Sequence, residues 1–154
     1  MNIHFIKSSE KKRIVQELNL QFGIQKLPYL LIKSGKEKIR AFSGHLSKEE
    51  IKSISYITNI ELIGVYLIKK EESLRLTLDA THLLKDQIIK STVEITDEQL
   101  NDWIRGYNLE IQTSRGIKVI RHGSDFVGCG KSNTQKIFNY IPKDRRLKMS
   151  RAYR

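Results

Sequence analysis

The fold is decided by the stretch RGIKVIRHGSDFVGCGK at residues 115–131, which is followed after a polar turn by KIFNYIPKDRRLK at residues 136–148. Apolar and polar residues alternate in both segments with the period of two that is typical of β-strands. Residues 122–124 and 132–134 supply the turns. Gly123, Gly128 and Gly130 are costly in strands unless the sheet bends sharply or another backbone comes close. The stretch therefore predicts a small closed β-barrel.

Positive charge is concentrated in the same part of the chain. Residues 115–154 contain eleven Lys or Arg against two Asp, a net charge of +9 out of +11 for the whole chain. A strand-rich unit with such an excess of cations attracts polyanions. The sequence shows no basic amphipathic helix of the kind that binds an anionic membrane, so the charge indicates that the partner is nucleic acid.

Length and composition indicate a folded protein without a membrane span, a disulfide or a metal site. A chain of 154 residues with 39% hydrophobic and 29% charged residues is typical of a folded protein of one domain or two small ones. No apolar run approaches the ~20 residues of a membrane span, and residues 1–5 lack the pattern of a signal peptide, so we expect a cytoplasmic protein with no membrane partner. The one cysteine, Cys129, and four scattered histidines predict neither a disulfide nor a metal site.

Residues 1–88 predict an α+β layer. Ser8 and Ser9 can cap a helix that ends at Gly23, and a capping box at residues 47–50 opens a shorter helix. Residues 27–32 with 39–42, and residues 62–68 with 74–78, predict two β-hairpins. Residues 79–82 contain an Asp and a His that could meet on a helical turn, but without a nucleophile pattern they indicate a polar corner after a strand.

Residues 89–154 predict the second unit. Residues 88–95 have a strand pattern, and a second capping box at residues 96–99 opens a helix that ends at Gly106. Residues 94–110 carry a net charge of −4, so this helix must face away from any polyanion and the binding surface should be one-sided. No flexible linker separates the two units, and we expect them to pack together. The tail at residues 148–154 is either a solvated basic end or a binding arm.

The segment from about residue 94 to 148 resembles a PUA domain of the type found in RsmF-like rRNA cytosine methyltransferases and in the Nip family of ribosome-assembly factors. The matching pieces are ITDEQ at residues 95–99, WIRG at 103–106, GIKVI at 116–120, DFVGCGK at 125–131 and KIFNYIPKDRR at 136–146. The layout of a small α/β domain followed by a PUA barrel is similar to the Nip family. The resemblance implies RNA binding through the barrel and a role in the assembly of the large ribosomal subunit.

The resemblance also implies which residues bind RNA. Arg and Lys neutralise phosphates, and a Tyr ring or a guanidinium plane can stack on an unpaired base. Tyr140 is equally consistent with a core position. Charge reversal at Arg145 and Arg146 is expected to weaken binding without changing the melting temperature. The predicted RNA-binding residues are Lys118, Arg121, Lys131, Lys136, Asn139, Tyr140, Lys143, Arg145, Arg146 and Lys148.

The chain is predicted to be non-catalytic and to need no cofactor. No glycine-rich loop connects a strand to a helix, and Cys129 lies between two glycines of the barrel, as a structural thiol would. We therefore expect an RNA-binding protein of ribosome biogenesis that acts on rRNA. The alternative is an accessory or specificity subunit that delivers tRNA or rRNA to a modification enzyme. The partners would be RNA and an assembly factor or that enzyme.

Overall fold

The computed structural model describes residues 3–148, so the predicted tail at residues 148–154 lies, apart from Lys148, outside the described residues. Two sheets and four helices make up this part of the chain. The strands are β1 (His4–Phe5), β2 (Leu30–Ser34), β3 (Lys38–Phe42), β4 (Val65–Lys70), β5 (Leu74–Leu76), β6 (Thr92–Glu94), β7 (Gly116–His122), β8 (Asp125–Ser132) and β9 (Ile137–Asn139), and the helices are α1 (Ser8–Phe22), α2 (Lys48–Ile57), α3 (Leu78–Leu83) and α4 (Asp97–Ile104), with a 3₁₀ turn at Lys143–Arg145.

The helix boundaries follow local capping signals. Both predicted capping boxes are confirmed, at Ser47 before α2 and at Thr96 before α4, and α1 ends at Gly23 in the left-handed conformation. The predicted cap of α1 is wrong, because Lys7 occupies the N-cap position and makes no side-chain cap hydrogen bond. Within residues 3–148 no helix has the length and apolar character needed to cross a bilayer.

The first sheet contains strands β1 to β5 in chain order, all antiparallel to their neighbours. The two predicted hairpins are its centre, with boundaries shifted by up to three residues. The predicted polar corner at residues 79–82 is wrong, because these residues lie in α3. Its start is fixed by Thr77, whose hydroxyl accepts a hydrogen bond from the backbone N–H of Ala80 at 3.2 Å.

The second sheet has the strand order β6-β7-β8-β9, with β6 parallel to β7 and the other pairs antiparallel. The predicted closed barrel is not formed by the described residues. Within residues 3–148, β6 and β9 are the two edge strands of the sheet and do not pair with each other, and β9 gains only an isolated bridge between Ile137 and Leu109. The strand predicted at residues 88–95 is reduced to the three residues of β6.

Two apolar clusters stabilise the structure. The larger one contains residues of α1 and the first sheet together with Ile117, Val119, Phe126 and Cys129 from the second sheet. The smaller one lies between α4 and the other face of the second sheet, around the fully buried Trp103. The larger cluster therefore joins the two predicted units, although the division at residues 1–88 and 89–154 stays a prediction.

Candidate nucleic-acid interface

The face of β9 and its flanking residues that is turned away from α4 combines aromatic rings with cations, and Tyr140 on this face also packs against the larger cluster. Ile137 and Ile141 are buried in the smaller cluster, and since side chains alternate along a strand, Phe138 and Tyr140 lie on the opposite face. The Nζ of Lys136 lies 5.1 Å from the centroid of the Phe138 ring. Lys131 of β8 is directly opposite Phe138 in the ladder, so the two side chains share a face.

This face continues onto the first sheet through Arg75 of β5. The guanidinium carbon of Arg75 lies 4.2 Å from the centroid of the Tyr140 ring, a cation–π stack between the two sheets. We call Lys136, Phe138, Lys131, Tyr140 and Arg75 together the basic-aromatic stripe. Sequence reasoning missed Phe138, which its period-two spacing from Lys136 and Tyr140 could have indicated. It also missed Arg75, because nothing local in the sequence places β5 beside the second sheet.

Three predicted cations are exposed after β9, namely Lys143, Arg145 and Lys148. Arg145 pairs with Asp79 of α3 at 3.3 Å, with about 44% and 45% of the two side chains exposed. An exposed pair of this kind contributes little stability, so the guanidinium of Arg145 can exchange its partner for a phosphate. Arg145 lines the same cleft as Arg75 and Tyr140 of the basic-aromatic stripe, whereas Leu147, next to Lys148, donates its backbone N–H to the carbonyl oxygen of Ile104 at the end of α4.

Arg146, unlike its neighbour, is directed into the protein. Its Nε donates a hydrogen bond to the carbonyl oxygen of Ile141 at 2.9 Å. Its side chain crosses Gly106, where an added Cβ would lie 2.5 Å from Cδ of Arg146, and Gly106 also has a φ of +97°. Arg146 therefore fixes the segment that follows β9 against the end of α4.

Asn139 is likewise used within the fold. Its Nδ2 donates to the carbonyl oxygens of Trp103 and Tyr107, at 2.7 and 3.0 Å, and its Oδ1 accepts from the N–H of Ile141 at 2.8 Å. These contacts use both donors of the amide. Asn139 positions β9, and its amide has no donor left for a base.

The two predicted cations of β7 do not belong to the basic-aromatic stripe. Lys118 is only 8% exposed, and its Nζ donates to the hydroxyl of Ser114 at 2.6 Å. Arg121 is exposed, but its Nε donates to the carbonyl oxygen of Gly123 and lies 3.8 Å from a carboxylate oxygen of Glu94. The structure thus brings together Lys131, Lys136 and Tyr140, with Lys143, Arg145 and Lys148 following in the chain after β9, and leaves Lys118 and Arg121 apart.

The acidic helix α4 lies on the other side of the second sheet. Trp103 of α4 packs against Ile137 and Ile141, and its Nε1 donates to the carbonyl oxygen of Val127 at 2.6 Å. Phe138 and Tyr140 face away from this cluster, so the carboxylates of α4 and the basic-aromatic stripe are on opposite faces. The acidic helix is thus turned away from the stripe, and the one-sided binding surface stays a prediction.

Cations beside aromatic rings suit a single-stranded polynucleotide, because phosphates pair with the cations and bases stack on the rings. The arrangement offers no activated thiol, since burial raises the pKa of Cys129 to about 12. Among residues 3–148, no three His, Cys, Asp or Glu side chains are grouped as ligands of one metal ion.

Comparison with known families agrees with this geometry. Residues 90–147, a little over a third of the chain, match the family model described as the methyltransferase RsmF PUA domain. No curated protein matches the chain. The matched segment contains α4, strands β6 to β9 and all of the basic-aromatic stripe except Arg75. The C-terminal half of this chain therefore contains a PUA domain, and a PUA domain implies RNA binding.

Proposed function

We propose that the chain is a non-catalytic, cytoplasmic RNA-binding protein that acts on rRNA in ribosome biogenesis. The observation that carries RNA binding is the basic-aromatic stripe on the PUA domain, where Lys131 and Lys136 flank the exposed ring of Phe138. The rRNA target is supported by the resemblance to the layout of the Nip family, a small α/β domain followed by a PUA domain.

The non-catalytic role is supported by the state of Cys129. A cysteine nucleophile needs a thiolate and access to substrate, whereas Cys129 is buried in the larger cluster and burial raises its pKa to about 12. Among the acidic side chains beside the stripe, Asp79 is an ion-pair partner of Arg145. The proposal therefore assigns binding to this chain and leaves any chemistry to a partner.

A second candidate function is supported by the family match itself, which is to the PUA domain of a methyltransferase. On this alternative the chain is an accessory or specificity subunit that delivers tRNA or rRNA to a separate modification enzyme. Crosslinking in cells followed by sequencing of the attached RNA separates the two. Pre-rRNA fragments support ribosome assembly, and tRNA supports the modification subunit.

Binding itself is tested by titrating the full chain with an rRNA fragment at several salt concentrations. Contact of about six phosphates predicts that log K falls against log[salt] with a slope of roughly −4 to −5. The double variant Lys131→Glu with Lys143→Glu should weaken binding strongly and flatten this slope. The matched control is Lys33→Glu with Lys36→Glu, which makes the same charge change at exposed positions of the first sheet. Equal effects of the two double variants, or a slope near zero, would refute the assigned surface.

A further inference from the structure

A cleft of about 160 Å³ lies where the two sheets meet beside the basic-aromatic stripe. One wall comes from the first sheet, with Tyr66 and Arg75, and the other from the segment after β9, with Tyr140 and Arg145. Burial raises the pKa of Tyr66 although Arg75 lowers it, so this phenol faces the cleft in its neutral form. The cleft therefore contains two aromatic side chains and two guanidinium groups from both halves of the chain.

Arg75 lies over the ring of Tyr140 in this cleft. Tyr140 packs with part of its ring against the larger cluster and stacks on the guanidinium of Arg75 at 4.2 Å. Within residues 3–148 the guanidinium of Arg75 forms no ion pair. A guanidinium that is oriented by a ring and lines an open cleft is a planar platform on which a base can stack.

The charges of the cleft indicate which part of a nucleotide it takes. Arg75 and Arg145 are balanced by Asp79 and Asp144, which line the same cleft. A cleft without net charge does not concentrate phosphates, in contrast to the exposed lysines of the stripe. What it offers a polynucleotide is stacking area rather than cationic attraction.

We propose that this cleft holds one unpaired base of a single-stranded RNA, stacked on the Arg75–Tyr140 pair, while the adjoining lysines bind its backbone. The inference rests on the proposed RNA-binding function and extends the interface beyond the PUA domain onto β5. It specifies the substrate class as RNA with an exposed, unpaired base, because a base within a duplex cannot enter the cleft.

The test measures binding of the full chain to a fluorescently labelled single-stranded RNA of about ten nucleotides, and to a fully paired RNA of the same length. Arg75→Gln should bind the single strand about ten-fold more weakly and the duplex with unchanged affinity. The slope of log K against log[salt] should stay the same, because a stacking contact releases no counterion. Arg75→Lys keeps the charge without the plane and should show nearly the same loss.

Arg13→Gln is the matched control, since it removes one exposed arginine from α1 and should bind like the unaltered chain. Unchanged single-strand affinity in both Arg75 variants, with weakened binding in the Lys131 and Lys143 double variant, would overturn the stacking site and leave the proposed function standing. A slope that falls in magnitude by about 0.7 in Arg75→Gln would mean a phosphate contact and also overturn it. An unaltered chain that binds neither RNA would refute both proposals.

Discussion

The side-chain nitrogen of Asn139 lies 2.7 Å from the carbonyl oxygen of Trp103, and this hydrogen bond ties β9 to the end of α4. The same amide donates to Tyr107 and accepts from Ile141. Asn139→Ala should therefore lower the free energy of unfolding by about 2 kcal/mol, since it leaves these backbone groups without their partner. Urea denaturation measures the loss. RNA affinity of the folded variant should be unchanged, and weakened binding at full stability would contradict this role.

Arg145 and Arg146 should separate binding from stability. Arg145→Gln removes an exposed cation and a weak pair with Asp79, so RNA affinity should fall while the melting temperature changes little. Arg146→Gln loses the hydrogen bond to Ile141 and the packing across Gly106, and should lower stability by about 1 to 2 kcal/mol. Thermal unfolding and RNA titration of both variants measure the two effects. If Arg145→Gln lowered stability and Arg146→Gln weakened only RNA binding, the inward placement of Arg146 would be wrong.

Phe138 should contribute to RNA binding and, to a smaller extent, to folding stability. Its side chain is 37% exposed and lies between Lys131 and Lys136. Phe138→Ser should weaken single-stranded RNA binding by about ten-fold, because a stacking ring is lost. Because nearly two-thirds of the residue is buried, the free energy of unfolding should also fall by about 1 to 2 kcal/mol, and RNA binding is measured where the variant is fully folded. Leu20→Ser, which alters a more exposed apolar side chain on α1, serves as the control and should bind RNA normally.

Gly130 should be intolerant of any side chain. A Cβ there would lie 2.5 Å from the carbonyl oxygen of Phe138 and 2.8 Å from the ring of Trp103. Neither neighbour can move without disturbing β9 or the smaller cluster, so Gly130→Ala should destabilise the protein by about 3 kcal/mol. At Gly35 an added Cβ meets nothing within 4 Å and only its φ of +66° is unfavourable, so Gly35→Ala should cost about 1 kcal/mol. Equal losses in urea denaturation would contradict the packing argument.

Cys129 should make stability depend on alkaline pH. Burial raises its pKa from the ordinary value of 9.0 to about 12, so between these values the unfolded chain loses a proton that the folded chain keeps. This contribution is fully present below pH 9 and decreases by up to about 1.4 kcal/mol per pH unit as the pH rises toward 12. Cys129→Ala should lack it. If the free energy of unfolding fell equally with pH in the unaltered chain and in Cys129→Ala between pH 8 and 11, a buried neutral thiol would be excluded.

Local signals predicted much of the fold. The capping boxes at Ser47 and Thr96 were read correctly because each depends on four consecutive residues. The PUA segment was recognised from short motifs around Trp103 and Gly128. The strand character of β7 to β9 was also predicted, but the alternation of apolar and polar residues did not predict exposure, because both faces of the second sheet are covered and Lys118 is buried. The correctly predicted features need no knowledge of distant parts of the chain.

Long-range contacts explain what the sequence could not predict. Whether the second sheet closes depends on the pairing of β6 and the bridge from Leu109, which no local pattern reports. The inward position of Arg146 depends on a glycine forty residues earlier in the chain, and that of Asn139 on carbonyl groups more than thirty residues away. Arg75 reaches Tyr140 only because β5 packs beside the second sheet. Counting cations could not separate these inward residues from those that face solvent.

The larger cluster, shared by the first sheet and by Ile117, Val119, Phe126 and Cys129, has a consequence for how the molecule melts. Because each half contributes to one interior, neither should lose its structure without the other, and calorimetry should show a single cooperative peak. A fragment that begins at residue 89 would expose this apolar surface to water and aggregate. The stability of the RNA-binding half therefore depends on its packing against the first sheet.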